Sequence, residues 1–289
     1  MKKKIFITGG KGMLASAIEA FYVQQGDSVF APTHDELDVC DFPGLKDALQ
    51  SFKPDLVFHT AAVHVDACES SPERAFQLNS WASKNIASLC AANDATLVSI
   101  STGGLFGDEI KYYTEYDPVK LKTTYAVSKY QGELLSLAEC KKTYIIRPGW
   151  LFGGDTEQKK NFVFQRYLDA KKSTSIKSAN DKFGSPTFVD DLAAKIDDIV
   201  QTEFPGTYHV SNAGGCSRYE YIKKIIECFK LKTEVIAVAS SEFPRKANVP
   251  DCEMLNNLNM KFIGVEPLPA WEDAIERCVH TIKRTLNNA

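Results

Sequence analysis

Along the first half of the chain, short β-branched and aromatic runs alternate with longer stretches whose apolar residues recur every three or four positions. The runs are Lys4-Ile5-Phe6-Ile7-Thr8, Asp27-Ser28-Val29-Phe30-Ala31, Asp55-Leu56-Val57-Phe58-His59, Thr96-Leu97-Val98-Ser99-Ile100 and Thr143-Tyr144-Ile145-Ile146. Between them Met13 to Gln25, Pro72 to Ala92 and Thr124 to Cys140 carry the spacing of amphipathic helices. Strands separated by helices imply a parallel, doubly wound sheet, and right-handed crossovers fix most of its topology.

After about Arg147 the pattern loosens. Gly153-Gly154, the polar run Lys171 to Asp181 and Gly184-Ser185-Pro186 interrupt shorter elements, with helices still readable at Asn161 to Lys171, Ser217 to Lys230 and Ala270 to Leu286. The expected fold is α/β: a Rossmann-type doubly wound parallel sheet with a smaller, interleaved C-terminal substrate-binding domain. Residues 1–148 form the dinucleotide-binding part, with about 187–212 returning to it, and 149–289 form mainly the substrate-binding part.

Composition narrows the ligand. The 289 residues are 44% hydrophobic and 25% charged, enough for a chain that buries roughly 75% of its unfolded surface. The net charge is −3, with no basic block or aromatic-and-Arg strip to track a phosphate backbone, so a small ligand is expected and nucleic acid is not. The apolar run after Met1-Lys2-Lys3-Lys4 ends within a few residues, too short for a signal peptide, and no stretch approaches the roughly 20 apolar residues of a membrane span. Eight scattered cysteines without a C-x-x-C pair read as reduced thiols, so a cytoplasmic location and no metal site are expected. The adjacent carboxylates Asp190 and Asp191 are expected to be solvated or capping.

Directly after the first strand comes Thr8-Gly9-Gly10-Lys11-Gly12-Met13-Leu14-Ala15, which runs into an amphipathic helix. It satisfies G-x-G-x-x-A through Gly10, Gly12 and Ala15, and G-x-x-G-x-x-A through Gly9, Gly12 and Ala15. Glycine lets the backbone turn tightly and approach a pyrophosphate, Ala15 lets helix and strand pack closely, and the free N–H groups of the helix start face the phosphates. The strand before and the helix after make this more than a Gly-rich turn. At the end of the second strand Thr33 and His34 stand where a carboxylate would hold the ribose hydroxyls of NAD, with Asp35 and Glu36 a turn later. NADPH is therefore favoured and NADH left open. Asp38 and Val39 are placed to meet the adenine.

Thr124-Tyr125-Ala126-Val127-Ser128-Lys129 puts Tyr125 and Lys129 one helical turn apart on one face. Thr102 follows the fourth strand, and in a parallel sheet the strand ends line the ligand crevice. Alone, a Tyr and Lys at this spacing describe many solvated helix faces. Beside a dinucleotide loop and Thr102 they suit hydride chemistry: carbonyl reduction needs a proton donor, and a phenol of ordinary pKa near 10 needs tuning. The Lys129 ammonium is expected to lower the Tyr125 pKa and to hold the nicotinamide ribose, with Thr102 orienting the carbonyl oxygen.

With these motifs the chain resembles the extended short-chain dehydrogenase/reductase family, in particular members that reduce nucleotide-linked 4-keto-6-deoxy sugars. The likeness runs over nearly the whole chain, through Glu36-Leu37-Asp38-Val39, Ala61-Ala62, Val65-Asp66, Tyr113-Thr114-Glu115, Trp150, Asn161-Phe162-Val163, Phe183-Gly184-Ser185-Pro186-Thr187 and Tyr208-His209-Val210. It implies a catalytic triad of Thr102, Tyr125 and Lys129. It also implies cofactor contacts at Gly9, Gly12, Met13, Leu14, Asp38, Val39, Ala61, Ala62, Tyr125 and Lys129. Val65, Thr102, Tyr125, Trp150, Asn161 and Phe162 would border a nucleotide-sugar substrate. Trp150 would equally suit a core aromatic, Asn161 a helix N-cap, and Asp66 and Asn79 local backbone bonds.

The chain departs from the family at three places. Gly103-Gly104 follows Thr102 where an Asp-Tyr pair is usual, Val63 replaces an aromatic or His after the Ala-Ala pair, and Ala247-Asn248-Val249-Pro250 stands where an Arg-Pro is usual. Arg245 and Lys246 lie close enough to compensate for the lost arginine. These changes leave the hydride chemistry intact and the sugar open. A nucleotide-sugar epimerase and a noncatalytic cofactor-binding subunit are the alternatives, and a homodimer stays open.

Overall fold

The computed structural model describes residues 2–158 and 160–288. The first half runs β1 (Lys4–Thr8), α1 (Met13–Gln24), β2 (Ser28–Phe30), α2 (Phe42–Phe52), β3 (Leu56–His59), α3 (Val65–Ser70), α4 (Pro72–Phe76), a π-helical turn (Gln77–Trp81), α5 (Ala82–Ala92), β4 (Thr96–Ile100), α6 (Thr124–Glu139) and β5 (Thr143–Pro148). The second half adds β6 (Trp150–Phe152), α7 (Phe162–Lys172), β7 (Ser175–Ala179), β8 (Phe183–Gly184), β9 (Pro186–Phe188), α8 (Val189–Gln201), β10 (Gly206–Val210), β11 (Cys216–Ser217), α9 (Arg218–Phe229), β12 (Glu234–Val238), β13 (Cys252–Glu253), α10 (Leu258–Phe262) and α11 (Trp271–Asn288).

Six strands form one parallel sheet in the order β10-β5-β4-β3-β1-β2. Ile5, Phe6 and Ile7 of β1 are fully buried because helices cover both faces of the sheet. Ile5 and Ile7 pack with Ile18 of α1 and Ile196 of α8, while Phe6 packs on the other face with Leu45 of α2 and Ile86 of α5. Burial of one such side chain stabilises by about 1.5–3 kcal/mol. The chain passes from β1 outward to β2 and then crosses to β3 on the other side of β1. The loops after β1 and β3 therefore flank a topological switch point, where such sheets bind ligands.

Several elements differ from the periodic reading, among them α8, whose buried Val189, Leu192, Ala193, Ile196 and Ile199 form a helix that this reading omits. Helix α2 is likewise absent from it, although Leu45, Ala48, Leu49 and Phe52 recur at helical spacing and pack on the core, and its limits are set by Pro43 in its first turn and a left-handed Lys53. The stretch Pro72 to Ala92 is not one α-helix, because a π-helical turn interrupts it at Gln77–Trp81. There the Asn79 carbonyl, which accepts from Ser83 Oγ at 2.8 Å, comes so near α6 that a Cβ on Gly132 would lie 2.2 Å from it. Two helix backbones meet closely at this point, and only glycine fits.

The second half adds small sheets: β6 with β9, β7 with β12, and β11-β8-β13. A separate apolar cluster, including Phe152, Phe188, Tyr221 and Trp271, holds it together. All eight cysteines are unpaired. Among the described residues no helix is long and apolar enough to cross a membrane, and no three His, Cys, Asp or Glu residues are grouped to hold a metal ion. Asp191 is engaged by Arg277, with two contacts of 2.7 Å, and by Asn212.

Candidate active site

A cleft of about 1150 Å³ opens along the carboxyl ends of the sheet strands. At one end the β1–α1 loop is shaped for close approach. Gly9 has φ +73°, and a Cβ on it would lie 3.2 Å from the Ala61 backbone; one on Gly10 would lie 2.1 Å from the Ala31 carbonyl. Helix α1 has no side-chain cap, so its first N–H groups face the cleft beside Gly12, Met13 and Leu14. This cradle fits the pyrophosphate of a dinucleotide. Ala61, Ala62 and Val39 line the same region. Asp38 turns its carboxylate to Arg74 (3.5 Å), His34 (3.9 Å) and the Cys40 N–H (2.9 Å). The desolvation that would raise its pKa is outweighed by these contacts, which hold it below the usual carboxylate range.

In the middle of the cleft Thr102, Tyr125 and Lys129 come together. Helix α6 starts here because Thr123 caps it, accepting from the Ala126 N–H at 3.0 Å, while the Glu69 carboxylate accepts from Thr124 N at 2.7 Å. Tyr125 thereby sits in the first turn and lines the cleft together with Thr102. One turn later Lys129 donates to the Ile100 carbonyl at 2.6 Å. Asn79 does more than bond its local backbone. Its side chain accepts from Val63 N at 2.9 Å and donates to Ser128 Oγ at 3.0 Å, tying the loop after β3 to α6.

The electrostatics correct one expectation. Burial pushes the Tyr125 phenol up to about 12 against the lowering influence of Thr102, and Lys129 is not among the groups that shift it. Burial lowers Lys129 itself to about 8, opposed by Glu133. At neutral pH the phenol therefore carries its proton and Lys129 its charge. Behind them Glu133 accepts from Arg147 at 2.9 and 2.6 Å and from Ser101, a buried network that ties α6 to β4 and β5. His59, at the end of β3, is pushed down to about 3 by burial and by Lys129, and is held neutral between Thr8 and Ser83.

At the far end of the cleft stand Val65, Trp150 and Phe162. Asn161 requires a correction: it is fully buried and its amide caps α7, accepting from Phe164 N at 3.0 Å and donating to the Gly154 and Asp155 carbonyls. Those bonds, not a substrate, use its polar atoms. Arg245 and Lys246 are also engaged, Arg245 with Asp66 at 2.9 and 3.2 Å and Lys246 with Ser70 at 3.0 Å, although Arg245 still borders the cleft.

Two cleft residues escape the sequence reading. Arg218 lies 3.4 Å over the Trp150 ring. Glu253 accepts from Trp150 Nε1 at 2.7 Å. Each carries a faint signal. A cation in the first turn of a helix opposes the helix dipole, so Arg218 directly after its Ser217 cap is out of place for stability alone. Glu253 is a lone charge in the apolar run Cys252-Glu253-Met254-Leu255.

A dinucleotide cradle at the switch point, with a Thr, Tyr and Lys beside it, defines the extended short-chain dehydrogenase/reductase class. Within that class the chain belongs to the family described as the RmlD substrate binding domain, whose model matches residues 2–284. It is 31% identical to the spore coat polysaccharide biosynthesis protein SpsK of Bacillus subtilis, over 94% of this chain and 95% of the relative. It is also 31% identical to a dTDP-4-dehydrorhamnose reductase of Mycolicibacterium smegmatis, over 98% of this chain and 86% of the relative. A crystal structure of dTDP-4-dehydrorhamnose reductase from Bacillus anthracis in complex with NADP superposes with a TM-score of 0.92 at 31% identity, covering 96% of this chain and 99% of that one.

Proposed function

We propose that the protein is an NADPH-dependent oxidoreductase that reduces the C4 carbonyl of a nucleotide-linked 4-keto-6-deoxy sugar, with dTDP-4-dehydrorhamnose as substrate and dTDP-L-rhamnose as product. The observation that carries this reading is the convergence of Thr102, Tyr125 and Lys129 in the same cleft as the β1–α1 cradle. The names of the relatives at about 30% identity supply the substrate. Residues 1–148, with 187–212, serve the cofactor on this reading, and 149–289 mainly the sugar nucleotide.

When bound in the cradle, the dinucleotide supplies the hydride. The chain's own residues manage the oxygen and its proton. Thr102 donates to the carbonyl oxygen and fixes its position, and donors aimed at developing negative charge are worth about 3–4 kcal/mol of barrier. Tyr125 gives that oxygen its proton, and a pKa pushed up to about 12 keeps the phenol loaded at neutral pH. Lys129, charged below about 8, stands one helical turn from Tyr125 in the same cleft and supplies positive charge to the site as the phenol's proton leaves. Basic groups near the adenosine end, Lys11, His34 and Arg74, border the cleft and favour the 2′-phosphate of NADPH over NADH.

The reading is tested with purified protein, NADPH and a panel of nucleotide 4-keto-6-deoxy sugars. Oxidation of NADPH with dTDP-4-dehydrorhamnose is the expected result. Absence of oxidation across the panel overturns it.

A further inference from the structure

The Glu253 carboxylate is placed to recognise the sugar. Its Oε2 is bonded to Trp150 Nε1, and no hydrogen bond from the described residues reaches Oε1. That free oxygen lies 3.3 Å from the point where a Cβ on Gly104 would stand, and Thr102 Oγ1 lies 3.4 Å from the same point. The carbonyl-orienting hydroxyl and a carboxylate oxygen thus lie close together on the cleft wall, with no side chain at position 104 to cover them. Burial raises the Glu253 pKa, while Arg218 and the Trp150 bond act against that rise. Arg218 is held for this by its stack on Trp150. With no protein donor on Oε1, a ligand hydroxyl can supply one.

We propose that Glu253 is a specificity-determining residue whose Oε1 accepts a hydrogen bond from a sugar hydroxyl on the carbon next to the reacting carbonyl. Carbonyl and vicinal hydroxyl are a fixed pair on a sugar ring, and Thr102 and Glu253 are neighbouring groups on the cleft wall that can meet one each. The inference rests on the reduction proposed above. It gives that reaction a substrate class: 4-keto sugars that keep the neighbouring hydroxyl, as opposed to their 3-deoxy counterparts.

The test compares kcat/KM of wild type, Glu253→Gln and Glu253→Ala on a nucleotide 4-keto-6-deoxy sugar and on its 3-deoxy analogue, with NADPH binding measured alongside. Wild type is expected to prefer the hydroxylated substrate by roughly 100-fold, the scale of a hydrogen bond to a charged group. Glu253→Ala should shrink that preference to a few-fold while NADPH binding stays unchanged, and Glu253→Gln, which retains an acceptor and the side-chain shape, should keep part of it. A purely structural loss would slow both substrates alike and leave the preference intact. That result overturns the proposal while the reduction stands. Failure of wild type to oxidise NADPH with either sugar overturns both.

Discussion

The middle of the cleft and its far end are built by different means. Around Thr102, Tyr125 and Lys129 each side chain is fixed by the end of a sheet strand or the first turns of α6, and a buried network of Ser101, Glu133 and Arg147 locks those elements together. At the far end Trp150, Arg218 and Glu253 come from three elements distant in sequence and hold one another through a stack and one hydrogen bond. The first arrangement fixes a reaction in the framework of the sheet. The second is the part proposed to read the substrate, and the departures at Gly104 and Val249 border the same cleft.

The largest effect should come from the middle. Tyr125→Phe removes the proton donor and should lower kcat by about 1000-fold with NADPH binding unchanged, as read by steady-state rates and cofactor titration. Turnover within a few-fold of wild type would remove Tyr125 from the mechanism. Next, Glu133→Ala leaves Arg147 buried without its partner and should cost about 3–5 kcal/mol in denaturant unfolding. A loss under about 1 kcal/mol would show that the network does not make the middle rigid.

At the far end, Gly104→Ala places a methyl group between Thr102 and Glu253. It should raise KM for the sugar nucleotide by about tenfold and leave NADPH affinity and stability alone. If it instead lowered stability as Glu133→Ala does, the contrast between the two regions would fail. Smallest is the pH effect. Lys129 loses its charge above about 8, and Tyr125 keeps its proton to about 12, so kcat/KM should fall to half near pH 8 and decline further above it. A profile flat to pH 10 would contradict the role given to Lys129.

The same contrast decides what was legible in the sequence. Strands β1, β3 and β4 are short apolar runs buried on both faces, so residues such as Ile5, Val57 and Val98 announce them locally. The Gly9-to-Ala15 loop and the Tyr125–Lys129 pair are local patterns too, and Thr102 follows from its place at a strand end. Arg218 and Glu253 were only faintly marked. The two-residue strand β13 pairs with β8, far earlier in the chain, so no periodicity marks Glu253 as facing a cleft. Asn161 shows the opposite case: a motif residue whose local geometry makes it a cap. The π-helical turn at Gln77–Trp81 is set by contact with Gly132 of another helix, which the spacing within Pro72 to Ala92 does not encode.

In the proposed reaction this cleft delivers hydride to a sugar carbonyl and ends with a reduced product. Its most direct test uses NADPH carrying deuterium on the transferable side of the nicotinamide C4, incubated with dTDP-4-dehydrorhamnose, with the product read by NMR and mass spectrometry. One deuterium at sugar C4 for each NADPH oxidised is expected, with the label abolished in Tyr125→Phe. A product epimerised without label and without net loss of NADPH would contradict the proposed reaction.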